Sequence, residues 1–281
     1  MRCCVLALAL VGTLMAQSTF QTKCNPYGNF GTKTQFDSKC PSPTGTSKPN
    51  TGSFAQDTAK SNFCADSGVA QITITDLASL ERAISSDPDY GSWKPGKEPP
   101  TRTAFTSLKG PFHEGQQVHL TAYILKAEAA DTDSGETVNC QMGTDGSKAR
   151  TQVGSQQARL YNDIHVALVG PGVTDECQSV TAEITPHYRN AQWTAALFNV
   201  KLKGQLVRIT GQLMYDTSHK PCQVSGEEPP RRQSSWEIHP VYQVEVCLAD
   251  DKKGGCKTSF EALNQYLSSS SPSKKTPQAR Q

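Results

Sequence analysis

Five stretches of alternating apolar and polar residues, with one helical stretch set between the third and the fourth, constrain this chain most. "EGQQVHLTAYILKAEA" turns Val118, Leu120, Ala122 and Ile124 to one face of a long strand and His119, Thr121 and Tyr123 to the other. "NDIHVALVG" alternates Ile164, Val166 and Leu168 until Pro171 and Gly172 break it. "CQSVTAEITP" alternates Val180, Ala182 and Ile184. Asn190 then caps "AQWTAALFNVKLKG", where Trp193, Leu197 and Val200 fall at helical spacing and Gly204 ends the run. In "QLVRITGQLMYD", Val207, Ile209, Gly211, Leu213 and Tyr215 share a face, and Gly211 marks a bend or bulge. "SSWEIHPVYQVEVC" is the fifth strand.

A long first strand, an interrupted fourth and a single helix before it give the element order of the OB-fold, a five-stranded Greek-key barrel. The expected class is mainly β: an OB-like barrel over residues 106–250, with Trp193 and Leu197 of the helix plugging one open end. A β-sandwich usually needs about seven strands and gives no reason for a helix at that point.

The flanking regions read differently. Residues 1–16 form a signal peptide: Arg2, an apolar run from Val5 to Leu14, then Leu14-Met15-Ala16 approximating a cleavage site. No other stretch approaches the roughly 20 apolar residues of a membrane span. The chain is therefore expected to be exported, periplasmic or extracellular. Eight cysteines remain after the signal: Cys24, Cys40, Cys64, Cys140, Cys177, Cys222, Cys247 and Cys256. An even count in an exported chain suggests disulfides, with Cys247–Cys256 closing a small loop and Cys140–Cys177 bracing a strand pair. Residues 17–105 are an irregular, disulfide-tied extension, partly disordered, with a short strand over 69–75 and a helix capped by Asp76 that carries Leu77, Leu80 and Ile84. Residues 251–281 are a tail, with a short helix at 259–267 on Phe260, Leu263 and Leu267 and disorder after it.

Alternation also assigns the polar residues. If the apolar side chains enter the barrel, Asp163, His165, Glu183, Arg208, Asp216, Glu237 and His239 face outward. His187, Arg189 and His219 lie at strand ends, on the rim of the same surface. The candidate ligand-binding set is Asp163, His165, Glu183, His187, Arg189, Arg208, His219, Glu237 and His239. OB-folds bind oligonucleotides and oligosaccharides on such a face, so a polar ligand (glycan, wall fragment or oligonucleotide) is the expected partner. The formal charge of +2 and the scarcity of stacking aromatics beyond Tyr161, Tyr188 and Tyr242 argue against strong nucleic-acid binding. No G-x-S-x-G elbow, phosphate loop or H-E-x-x-H is present, so no catalytic residue is assigned and no cofactor is expected. Two other readings stand beside the binding module. One is a metal-assisted hydrolase, phosphodiesterase- or nuclease-like, using the His, Asp and Glu groups. The other is a non-catalytic extracellular scaffold whose outer charges form ordinary cross-strand ion pairs.

The segments "NDIHVAL", "ECQSVTAEITPHYR", "VRITGQLMYDTSHKPC" and "SWEIHPVY", and more loosely "KSNFCA", resemble a family of exported bacterial proteins of uncharacterised function. The resemblance covers residues 135–247. It implies a bacterial, exported protein and carries no activity across.

Overall fold

The computed structural model describes residues 55–56, 59–60, 66–85, 102–108, 110–129, 163–185, 189–190, 192–217, 219–225 and 231–269. Five strands close a mixed barrel: β2 (Gln116–Ala129), β3 (Ile164–Val169), β4 (Val180–Ile184), β5 (Leu206–Tyr215) and β6 (Trp236–Cys247). β1 (Asp66–Ile72) adds in parallel to β2, and β7 (Phe260–Ala262) pairs with β6. The length of β2 explains the closure. Residues 117–123 pair with β5 and residues 123–129 with β3, so one strand curls to serve both neighbours. β4 then meets β6 in parallel at Ala182 and Ile238, which seals the ring.

The apolar faces enter as alternation requires. Ile164, Val166, Leu168, Val180, Ala182, Ile184, Val207, Ile209, Leu213, Tyr215 and Ile238 all join one buried cluster. Ile72 of β1, Leu77 and Ile84 of α1 (Ile74–Ser85), and Phe105 of α2 (Thr103–Thr106) join the same cluster from outside the barrel. Strand β1 stops at Ile72 instead of running to Thr75 because Thr73 caps α1. The Thr73 hydroxyl accepts from the Asp76 amide at 3.1 Å, while the Asp76 carboxylate accepts from the Thr73 amide at 2.9 Å. Asp76 is thus the reciprocal partner of a capping box rather than the cap itself.

The helix between strands also departs from expectation. α3 (Ala195–Leu197) is capped by Thr194, whose hydroxyl accepts from the Leu197 amide at 3.1 Å, and not by Asn190. It continues as a π-helical turn over Phe198–Leu202. The wider turn rotates the buried face, so Phe198 and Leu202 point inward and Val200 is 78% exposed. Trp193 is buried as expected, and its indole donates to Asn264 on α5 (Leu263–Ser269). Phe260 lies on β7 rather than on the helix, beneath the Arg208 guanidinium.

Cys247–Cys256 is bridged, as the spacing suggested. Cys177 pairs with Cys222 and not with Cys140. The 3-10 turn at Glu176–Gln178 lies against α4 (Cys222–Ser225), which puts the two Cα atoms 5.7 Å apart. Cys24, Cys40, Cys64, Cys140 and His187 lie outside the described residues, as do most of the 17–65 extension and the final residues of the tail. Among the described residues, no helix is long and apolar enough to cross a membrane.

Gly211 sits where the β5–β6 ladder slips register, opposite Val241 and next to Pro240, which has no amide hydrogen to donate. A Cβ there would lie 2.4 Å from Ile238 Cγ2 and 2.5 Å from the Pro240 carbonyl oxygen. Gly211→Ala is expected to lower unfolding free energy by about 1–3 kcal/mol, the usual effect of overpacking a core. Gly170→Ala, whose Cβ would meet nothing closer than Val173 at 3.9 Å, should stay within about 0.5 kcal/mol of the parent. Urea titrations of the two variants measure both, and equal effects would mean that the close approach does not matter.

Candidate functional site

Three adjacent strands set out the polar residues on the far side of the sheet from the core. His165 on β3 stands directly across from Glu183 on β4. The parallel contact of Ala182 with Ile238 brings Glu183 beside Glu237 and His239 on β6. Asp163 precedes β3 on the same side as His165. Asp163 with His165, and Glu237 with His239, each an acid and a histidine two positions apart, therefore flank Glu183.

The expectation that these groups meet water is wrong. Asp163, Glu183, Asp216, Glu237 and His239 are 0% exposed, and His165 is 9% exposed. Two pieces of chain cover them. From the N-terminal side, Gln56 donates to Asp216 at 2.6 Å and accepts from the Thr217 amide at 3.2 Å. Lys60 places its ammonium 3.4 Å from Glu183. From the β5–β6 connection, Arg232 contacts Glu237 at 2.9 Å and Asp216 at 3.4 Å, and Ser235 donates its amide to Glu81 of α1 at 2.7 Å. The cover is anchored in turn by Arg102, which binds Gln56 at 2.9 Å and Glu114 at 2.6 Å.

Within the cluster, His239 bridges two elements. Its Nδ1 is 2.6 Å from Glu183 Oε2, and its Nε2 is 3.2 Å from the Lys60 carbonyl. A carbonyl only accepts, so Nε2 carries the hydrogen. His165 Nε2 lies 3.1 Å from Glu183 Oε1, close enough for an ion pair but off the alignment of a hydrogen bond. His219 Nδ1 lies 2.6 Å from Asp216. The His165 and His219 rings meet edge to face with centroids 6.3 Å apart, at the cluster's rim, where the His219 side chain is 20% exposed.

Four carboxyl groups in one dry space cannot all titrate normally. Burial raises every one of them; what differs is the compensation. Lys60, His165 and His239 outweigh burial at Glu183 and hold it well below the usual carboxylate range. His219, Lys60 and Arg232 do the same for Asp216. Burial dominates at Asp163, and with the negative charge of Glu183 it raises the carboxyl against the pull of His239. Burial, Glu183 and Asp216 together push Glu237 well above its ordinary value despite Arg232. The environment thus pulls two of the carboxyl groups down and pushes the other two up.

Of the nine sequence candidates, Asp163, His165, Glu183, Glu237 and His239 converge, and His219 joins at the rim. Arg189 is partly buried, and the charge of Asp163 acts on its guanidinium. Arg208 does not belong: it grips Glu245 with two bonds of 2.7 Å on another part of the barrel. Sequence reasoning missed Lys60, Gln56 and Arg232 as partners and left Asp216 as a merely outward residue. Arg232 carried a weak signal, as a basic residue five positions before Glu237. Comparison of the chain with protein-family models, curated proteins and solved structures found no match.

Breaking a buried pair strands its partner, whereas a half-exposed pair contributes little. Arg232→Met should therefore cost about 3–5 kcal/mol of unfolding free energy, because Glu237 and Asp216 lose their buried counter-charge. Arg208→Met, at the more exposed Glu245 pair, should cost under about 1 kcal/mol. Chemical denaturation of both variants decides it, and a cost for Arg232→Met no larger than for Arg208→Met would contradict the network described.

Proposed function

We propose that the protein is an exported binding module that takes a small polar ligand, cationic or rich in hydrogen-bond donors, into the cluster on its β3–β4–β6 face. The observation that carries this reading is Asp163. Its carboxyl is fully buried, yet neither oxygen has a hydrogen-bond partner among the described residues. A buried acceptor left unmade costs about 1–3 kcal/mol, and more when it is charged. A ligand that brings a positive charge or N–H and O–H donors recovers that loss. The cover over the face argues for a small ligand and against a glycan or oligonucleotide laid along the strands. The two histidines at the rim supply the polar approach. The convergence of the polar groups speaks against a plain scaffold, in which they would be scattered.

Export is part of the proposal, supported by the signal-like first 16 residues and by the Cys177–Cys222 and Cys247–Cys256 disulfides among the described residues. A thermal-shift panel of divalent cations, diamines and amino sugars tests the binding reading, each organic compound being run in the presence of a chelator. At 100 times its Kd a ligand adds about 2.7 kcal/mol, which for a chain of this size is a rise in Tm of about 5 °C. At least one class should produce it, and Asp163→Asn should need at least tenfold more ligand for the same shift. A parent protein indifferent to the whole panel, or an Asp163→Asn variant that responds like the parent, would refute the reading.

A further inference from the structure

We propose that Asp163, Glu183 and His239 form a site for one divalent transition-metal ion, with two carboxylates and one imidazole as donors. The inference rests on the reading that Asp163 is directed at a ligand, and it names that ligand's class. Each of the three residues offers a donor atom, and these atoms lie within 4.8 Å of one another. Around an ion with bonds of about 2.0–2.2 Å, neighbouring donors stand about 3–3.5 Å apart, so only small movements separate this arrangement from a coordination shell.

Three further observations single out this triad. First, Asp163 is buried with both oxygens unclaimed among the described residues. An acid kept for the network's own stability would be hydrogen-bonded. Second, His239 has the support of a ligating imidazole. Its Nε2–H donates to the Lys60 carbonyl, which fixes the ring and leaves Nδ1 facing Glu183. With Nε2 carrying the hydrogen, Nδ1 and Glu183 Oε2 are both lone-pair atoms at 2.6 Å unless something positive sits on one of them. A proton can fill that place, and so can a metal ion. Third, the neighbouring triad Glu183, Asp216 and Glu237 already has a buried guanidinium as its counter-charge. Arg232 contacts both Asp216 and Glu237, and Gln56 donates to Asp216.

Nitrogen and oxygen donors of this kind suit zinc, cobalt, iron or manganese better than magnesium or calcium, which prefer all-oxygen shells. Three protein donors leave a tetrahedral ion one position open for water or an oxygen of a small molecule. Lys60 opposes the ion. Its ammonium stands 3.4 Å from Glu183, so it competes for the same carboxylate.

The test uses the full chain, secreted, purified without a tag and stripped with chelator. Titration with Zn²⁺ by calorimetry, and with Co²⁺ by visible absorption, should give one equivalent bound and a cobalt spectrum of low-coordinate nitrogen–oxygen type. Asp163→Asn and His239→Gln should each weaken binding at least tenfold with unchanged circular dichroism. Glu245→Gln, outside the cluster, should bind like the parent, and Lys60→Gln should bind more tightly. If His239→Gln does not fold, Asp163→Asn and Lys60→Gln carry the comparison. Absence of metal binding by the parent, or unaltered affinity in Asp163→Asn, overturns the site. Should metals fail while a diamine or amino sugar still stabilises the parent under chelator and Asp163→Asn abolishes that effect, the metal inference falls and the binding module stands.

Discussion

The parallel contact between β4 and β6 is the constraint from which the rest follows. The other ring neighbours run antiparallel, whereas this pair is brought together only after the chain has travelled through α3 and β5. Because side chains alternate with a period of two, its single registration of Ala182 with Ile238 decides two things at once. It sends both apolar residues into the core, and it sets Glu183 next to Glu237 and His239 on the other side. A slip of β6 by one residue would drive Glu237 and His239 into the barrel and Trp236 and Ile238 out of it. The hydrophobic interior thus enforces the register that assembles the polar cluster.

That cluster adds little to stability by itself. Moving charges out of water costs several kcal/mol per ion, and attraction in the dry interior restores it only when geometry and hydrogen bonding are good. Here the restoration is uneven. Glu183 and Asp216 are surrounded by cations, while Asp163 and Glu237 are driven toward their protonated forms. The cover that causes this burial is itself fastened. The Cys177–Cys222 bridge ties the β3–β4 connection to the segment after His219, and the Cys222 amide donates to the Arg232 carbonyl at 2.9 Å. Arg232 and His219 are therefore held over the face by a covalent strap as well as by ion pairs.

The barrel was legible because its evidence is local. Period-two alternation, a glycine opposite a crowded strand and one helix in the right interval each lie within a short window. The side of the sheet on which Asp163, His165, Glu183, Glu237 and His239 stand was legible for the same reason. Their burial was not, since it depends on Gln56 and Lys60, more than 100 residues before Glu183. Those two come from a stretch too poor in apolar groups to suggest a packed segment. It contributes hydrogen bonds and a charge, and neither leaves a periodic trace. Cys177 was misassigned because spacing along the chain says little about which loops meet at one end of a barrel. The rotated face of α3 arose from a π-turn, which helical periodicity cannot register.

The pattern of unclaimed atoms separates a structural network from a receptive one. Asp163, Glu237 Oε1, and the Nε and Nη2 of Arg232 are all buried without hydrogen-bond partners among the described residues. Acceptors and donors are thus left over within one cluster. A network selected only to hold the cover would close such atoms on one another, since a guanidinium fork and a carboxylate are well matched. Asp163 is fixed beside β3 and Arg232 before β6, with Glu183 and Glu237 between them. The cluster is consequently uneven: Arg232 reaches Glu237 and Asp216 at the β6 side, while the Asp163 oxygens at the β3 side accept no hydrogen bond among the described residues. Under the proposed metal site, a small cation would sit at the Asp163 end and leave Arg232 to fasten the cover at the other.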